Sequence, residues 1–532
     1  MGIPSYYKRL IDRFPRLVSK GLTAIGARKA NVLLMDFNCL IYQCVRGEGM
    51  PAYTAETRET WEAALLEAVK AYTVKVWDVA GRPAEVFIGV DGVVPMAKIR
   101  QQRLRRFKSP WLAAQERVAG VREGESWDTN AITPGTEFME KLGRALKGLA
   151  AARGTGWSVS AADEPGEGEQ KLMDWIRVRG AAGLAGKEVI VYGLDADLIV
   201  LSLLSLARDA AGVAGWRLLR ELAEFEGGRA GDPAAFGCLD VRELLGLLVP
   251  DGIPAAEYML EYCCGMSFLG NDFLPHSLSV KMREGGHDRL CRTLTALHTA
   301  GGRLVDAATG RIRPDGCAAL AAAWSKTEEE DIAHGFKEKY RGRGPPPRSD
   351  KERAMLPVQN LPLTWKQESA LWVSGSGIEG ASSLVDGWRD LYYARWMREA
   401  APATAAAAYA HGLQWIVDYY LGRPVSYSWY FPWSLPPLWS DVAAALESVD
   451  AVAAPAVTSP VAPQEQLAMV LPASSWWLVR RADLRALPAR APAFWPETFG
   501  FFSVGRRWMW ECEAEVPILC MERLKQLVAQ RA

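Results

Sequence analysis

The sequence predicts an α/β protein with a central, mostly parallel sheet flanked by helices. Three observations predict it. Residues 31–35, 84–90 and 189–192 are short apolar segments rich in β-branched residues, the composition of buried strands. Each runs straight into acid: the first into Asp36, the second into Asp91, the third into Asp195 and Asp197. Between them lie longer stretches with helical periodicity, such as 60–79 and 135–152. Sheets of this kind bind ligands beyond the carboxyl ends of their strands, where these aspartates fall.

The strand-and-helix pattern runs to about residue 340. Residues 341–360 open with Arg341-Gly342-Arg343-Gly344-Pro345-Pro346-Pro347-Arg348, the composition of a linker. A mostly helical, tryptophan-rich region is expected over 361–450, then an Ala/Val/Pro-rich loop over 451–463. The last segment, 464–532, mixes helix with strand-like Phe501-Phe502-Ser503-Val504 and Trp508-Met509-Trp510.

Lys+Arg and Asp+Glu both number 62, so net charge neither favours nor excludes a nucleic-acid partner. Nine cysteines without a CxxC pair and only five histidines argue against a zinc site or a disulfide framework. The N-terminus carries no apolar signal core, and no apolar run approaches the roughly 18 residues that suggest a membrane span. The expectation is a soluble, intracellular protein without membrane attachment.

Seven acids are candidate metal ligands and catalytic groups: Asp36, Asp91, Glu167, Glu169, Asp195, Asp197 and Asp272. Glu167 and Glu169 lie in Glu164-Pro165-Gly166-Glu167-Gly168-Glu169, where glycines allow a tight turn. The i, i+2 spacing of Asp195 and Asp197 puts both on one side if strand geometry continues. Asp272 sits in a short polar break, Leu269-Gly270-Asn271-Asp272-Phe273. Converging acids repel and raise one another's pKa unless cations neutralise them. Oxygen donors favour magnesium or manganese over zinc. Two such ions about 4 Å apart can activate water and stabilise the leaving oxygen of a phosphodiester. Any one of these aspartates could instead simply cap the following helix.

Asp91 leads through Pro95 into a basic helix. Lys98, Gln102, Arg105 and Arg106 recur at i, i+4, i+7 and i+8 and share one face. A helix N-terminus with such side chains can receive a phosphate dianion, although basic runs are commonly just solvated.

At these residues the chain resembles the 5′→3′ exoribonuclease family of the Xrn/Rat type, whose core belongs with PIN-like and flap-nuclease folds. The resemblance rests on Met1-Gly2-Ile3-Pro4-Ser5-Tyr6-Tyr7, residues 91–107, Asn130-Ala131-Ile132-Thr133-Pro134-Gly135-Thr136, Pro165-Gly166-Glu167-Gly168-Glu169, Gly193-Leu194-Asp195-Ala196-Asp197 and Gly270-Asn271-Asp272-Phe273. It continues through Gly387-Trp388-Arg389-Asp390, residues 411–421, Trp429-Tyr430-Phe431-Pro432, and residues 464–471 and 508–517.

The resemblance implies a processive 5′→3′ exoribonuclease that releases nucleoside 5′-monophosphates from single-stranded RNA during RNA decay. It implies two Mg2+ ions, with Mn2+ able to substitute, on the seven acids, and a 5′-monophosphate pocket of Lys98, Gln102, Arg105 and Arg106. Region 361–450 would close over the active site. An aromatic pair would stack on the first base, with Tyr42 as one member and Trp415, ahead of Trp429, as the other. Tyr42 stands where the family usually has histidine, and Gln170 also replaces a common histidine. A monomer without the family's long C-terminal extensions is expected. Two alternatives are a flap-type nuclease acting on DNA and a binding or packaging protein that has lost catalysis.

Overall fold

The apolar runs that end in aspartate form the middle of a seven-stranded sheet. In a computed structural model of the chain, residues 3, 5–20, 30–47, 49–222, 236–341, 344, 346, 347, 349–373, 383–398 and 400–530 are described. Met1, Gly2 and Pro4 of the N-terminal motif and part of the expected linker lie outside them. The strands are β1 (Val18–Lys20), β2 (Val32–Asp36), β3 (Glu85–Gly89), β4 (Trp157–Ser160), β5 (Glu188–Tyr192), β6 (Gly215–Glu221) and β7 (Phe236–Asp240). Their order is β1-β7-β6-β5-β2-β3-β4. Strands β6, β5, β2, β3 and β4 are parallel; β7 and β1 complete one edge in antiparallel pairing.

Register brings the functional ends of the strands together. Met35 pairs with Ile88 on one side and Tyr192 on the other, so the segments following β2, β3 and β5 leave the sheet side by side. Period-two alternation sends Leu33, Met35, Val86, Ile88 and Ile190 into one core and Val32, Leu34, Phe87, Val189 and Val191 into another. Burial on both faces explains why the strands read as nearly continuous apolar runs.

The helices that matter for the site are α1 (Tyr6–Arg13), α2 (Asn38–Val45), α3 (Arg58–Val79), α4 (Met96–Val118), α5 (Glu137–Arg153), α6 (Gly168–Leu184), α7 (Asp197–Arg208), α8 (Val241–Leu248) and α9 (Ala255–Phe268). Residues of α2, α3 and α5 cover one face, and residues of α6, α7, α8 and α9 cover the other. The helix Pro402–Tyr420 packs into the second of these cores through Tyr409, Leu413 and Ile416. The C-terminal segment folds back onto the first, burying Leu467, Met469, Leu519 and Leu524.

Several local expectations change. Residues 341–360 are not all linker, because Asp350–Gln359 is a helix capped by the Ser349 hydroxyl. Residues 451–462 carry neither helix nor strand, yet Val452 is buried and the Thr458 hydroxyl accepts the Ser428 N–H at 2.9 Å. Gly500–Phe502 is a strand paired with Glu513–Glu515. Trp508-Met509-Trp510 is not a strand: the Glu511 carboxylate accepts the N–H groups of Arg507 and Trp508, both at 2.8 Å, and curls the chain into a 3-10 turn.

Candidate active site

Asp36 is the last residue of β2, and Asp91 follows β3 by two residues. Asp91 is held from two sides: its carboxylate accepts Asn38 Nδ2 at 2.8 Å and the Gly168 N–H at 2.7 Å. The second bond ties it to the start of α6, which Glu167 precedes and Glu169 joins. Gly168 has to be glycine for this approach, since a Cβ there would stand 2.6 Å from Asp36 Oδ1 and 2.7 Å from the Gly89 carbonyl. Gly166, with φ +106°, makes the preceding turn.

Strand geometry does not carry Asp195 and Asp197 to a common side, as their spacing suggested. Strand β5 stops at Tyr192, and Asp197 opens α7, so a strand-to-helix turn brings the pair inward. Asp272 comes from the loop after α9, where Asn271 Oδ1 accepts the N–H groups of Phe273 (2.9 Å) and Leu274 (3.0 Å) and shapes a tight Asx turn.

Several of these acids act on one another. Burial, then Asp91 and Asp195, raise the Asp36 carboxyl well above the usual range. Burial and Glu167 do the same to Glu169. Asp197 is pushed up to about 8 by burial and by Asp272, and its Oδ1 is buried without a hydrogen-bond partner among the described residues. The cation at the centre is Lys98, whose Nζ pairs with Glu167 and lies 2.7 Å from Asp272 Oδ2. Among the described residues no three Asp, Glu, His or Cys side chains are drawn together as a ready metal cage. Lys98 pairs with Glu167 and Asp272, and an all-oxygen donor set of this kind suits a hard divalent cation.

Helix α4 carries the candidate phosphate pocket. Lys98 is buried inside the acid group, while Arg105 stands exposed two turns on. Arg106 Nη1 donates to Asn130 Oδ1 at 2.9 Å and Nη2 to the Ile132 carbonyl at 3.1 Å, which fixes the guanidinium plane. Arg106 Nε and Gln102 Oε1 remain buried without partners among the described residues. Tyr42 belongs to the electrostatic surroundings of Arg106 and is half-buried.

Trp415 is placed differently from the sequence expectation. It is 1 % exposed, donates its indole N–H to the Ser426 carbonyl at 2.9 Å, and stacks on Tyr419 and Trp429 with ring centres 4.9 and 5.2 Å apart. A ring so enclosed cannot receive a base as it stands, whereas Trp429 is only half-buried. Gln170 is buried beside the paired glutamates with Nε2 unpartnered among the described residues.

Sequence reasoning missed several supporting groups. Tyr419 donates to Glu167 Oε1 at 2.7 Å, bringing the second region directly onto an acid of the site. Gln101 Nε2 donates to Asp272 Oδ1 at 3.1 Å, and Asn38 orients Asp91. Asn38, two residues after a strand-end aspartate, could have been suspected. Tyr419 could not, since 252 residues separate it from Glu167.

Residues 1–211 match the family model described as the XRN 5′-3′ exonuclease N-terminus, and residues 383–531 match that of the Xrn1 helical domain. The chain is similar to 5′-3′ exoribonuclease 2 of Cryptococcus neoformans, 31% identical over 419 residues, covering 62% of this chain and 36% of that protein. It is 26% identical to human 5′-3′ exoribonuclease 1 over 98% of this chain and 34% of the human one. It is also 26% identical to 5′-3′ exoribonuclease 2 of Arabidopsis thaliana over 100% of this chain and 67% of the plant protein. The first of these matches spans little more than a third of the relative's length.

Proposed function

The chain belongs to the Xrn family of 5′-3′ exonucleases, and on that premise we propose that it hydrolyses single-stranded RNA processively from a 5′-monophosphate end, releasing nucleoside 5′-monophosphates. The observation that carries this reading is the single helix α4, which plants Lys98 among the acids and sets Arg105 and Arg106 about two turns away. A phosphate received at Gln102, Arg105 and Arg106 would put the next phosphodiester near the carboxylates.

Asp36, Asp91, Glu167, Glu169, Asp195, Asp197 and Asp272 would hold two Mg2+ ions, with Mn2+ able to substitute. Such ions supply a nucleophilic hydroxide and charge for the leaving oxygen. The chain's own side chains do the positioning. Asn38 and the Gly168 N–H aim Asp91, Tyr419 aims Glu167, and Gln101 aims Asp272.

Selectivity for a monophosphate is supported by the confined surroundings of Arg106, whose guanidinium is pinned by Asn130 and Ile132. Tyr419 and its helix, laid over Glu167, favour an end-acting enzyme over one that admits an internal segment of chain. Tyr42 would stack on the first base, with Trp429 the more accessible candidate for its partner. Stacking of this kind contributes about 1–3 kcal/mol per base and tolerates any sequence. No helix of the described residues is long and apolar enough to cross a membrane. We assign the activity to a monomer engaged in RNA decay inside the cell.

The test incubates the protein and magnesium with RNAs bearing 5′-monophosphate, 5′-hydroxyl or 5′-triphosphate ends, beside matched DNA. Selective loss of the monophosphate RNA is expected. Equal cleavage of every end, preference for DNA, or no cleavage would overturn the reading.

A further inference from the structure

Next to the acid group, on the flank of α4 that carries Gln101, Leu104, Arg105 and Lys108, lies a cavity of about 190 Å³. It is distinct from the face that presents Gln102 and Arg106, and it shares only Arg105 with the candidate phosphate pocket. Its lining includes Asp272 and Gln101, so it adjoins the acid group. Its rim includes Trp510, 46% exposed, with the Arg283 guanidinium 5.9 Å from the ring centre.

The lining has two chemistries. One is cationic. Among the described residues Lys108 donates to backbone carbonyls, those of Trp510 (2.9 Å) and Cys512 (2.6 Å), and hydrogen-bonds no carboxylate. Lys281 pairs with Glu284 at 3.4 Å, a residue outside the lining, and Arg105 is exposed. Glu511 and Glu513, by contrast, are engaged by Arg283 and Arg506. The lining therefore carries more basic than acidic side chains, Arg105, Lys108, Lys281, Arg283 and Arg506 against Asp272, Glu511 and Glu513. The other chemistry is apolar, contributed by Leu278, Leu435 and Val504.

We propose that this cavity receives the nucleoside 5′-monophosphate after cleavage and gives it a way out separate from the incoming RNA. The inference rests on the function proposed above. A processive enzyme keeps its polymer engaged while shedding one nucleotide per cycle, so the nucleotide needs another route. Arg105 borders both pockets and can pass the phosphate from one to the other. Lys108 and Lys281 then attract the dianion, and the base lies on the apolar wall or on the open Trp510 ring, a contact indifferent to base identity.

The test uses AMP as the probe, with adenosine as the phosphate-free control, on the full chain and on the Lys281→Met and Lys281→Glu variants. Lys281 lies outside the acid group and the candidate phosphate pocket. The expected result is that AMP quenches tryptophan fluorescence in the wild-type protein and adenosine does not. AMP affinity falls at least fivefold in Lys281→Met and further in Lys281→Glu. Single-turnover cleavage of the first nucleotide stays within twofold, while steady-state nucleotide release slows. Unchanged AMP affinity in a folded Lys281→Met protein overturns the exit site, as does wild-type protein that binds no AMP. If wild-type protein fails to hydrolyse 5′-monophosphorylated RNA, the parent reading falls instead, and the AMP titration still reports on the cavity. Thermal unfolding of both variants separates lost binding from lost fold.

Discussion

Two flanks of one helix, α4, carry basic residues of the same kinds and use them in opposite ways. On one flank Arg103, fully buried, donates to the backbone carbonyls of Met469 (2.7 Å), Pro517 (2.8 Å) and Phe494. On the other, Lys98 faces carboxylates, Arg105 is exposed, and Arg106, held by Asn130 and Ile132, keeps its Nε without a partner among the described residues. A cation satisfied by carbonyls fastens the C-terminal segment to the sheet. A cation that meets mobile or exchangeable charge is available for chemistry. The count of lysines and arginines on a helix says nothing about which role each takes; their partners decide it.

That contrast can be broken most directly at the acids Lys98 serves. Asp195→Ala should lower RNA turnover by about a thousandfold or more while leaving the melting temperature within a degree or two, measured by single-turnover assay and thermal unfolding. Turnover at the wild-type rate would remove Asp195 from the reacting group. Arg103→Met should do the reverse. It leaves three carbonyls unpaired in the core, a loss of about 3 kcal/mol or more, seen in denaturant unfolding, with the preference among 5′ ends intact in whatever remains folded. If Arg103→Met instead abolished end preference at full stability, the two flanks would not differ as described.

Arg105→Ala tests the exposed flank. The preference for 5′-monophosphate over 5′-hydroxyl RNA should drop about tenfold, with a smaller loss in general RNA affinity, readable by competition binding. An equal loss on both substrates would make Arg105 a general backbone contact.

The smallest effect sharpens the rule for anions anchored by backbone. Glu328 is buried and accepts the Trp439 N–H at 3.0 and 3.1 Å. Burial pushes its carboxyl up from 4.5 to about 7. The folded state thus binds this proton more tightly than the unfolded state does. The stability it contributes is complete below pH 4.5 and is lost as the pH rises toward 7. Glu328→Gln should flatten the pH dependence of unfolding in that window without altering end preference. An unchanged slope would mean the carboxyl is not protonated as its surroundings imply.

Much of this molecule is legible in its sequence because the relevant forces are local or periodic. Alternation and β-branching mark β2, β3 and β5, since both faces of those strands are buried. The glycines at 166 and 168 announce the turn at which two glutamates meet Asp36 and Asp91, because only glycine permits that approach. By contrast β1, three residues long, takes its place through antiparallel pairing with β7, far along the chain, and no local pattern shows it.

What the sequence by itself determined is the central α/β sheet, the acids at its strand ends and the basic face of α4, because hydrophobic period and turn chemistry act within a few residues. Only the tertiary structure decided which cations meet acids and which meet carbonyls, that Tyr419 reaches Glu167, and that Trp415 lies within the core while Trp429 stands nearer the surface. Those outcomes depend on contacts between segments hundreds of residues apart, where burial and the supply of partners are set by packing.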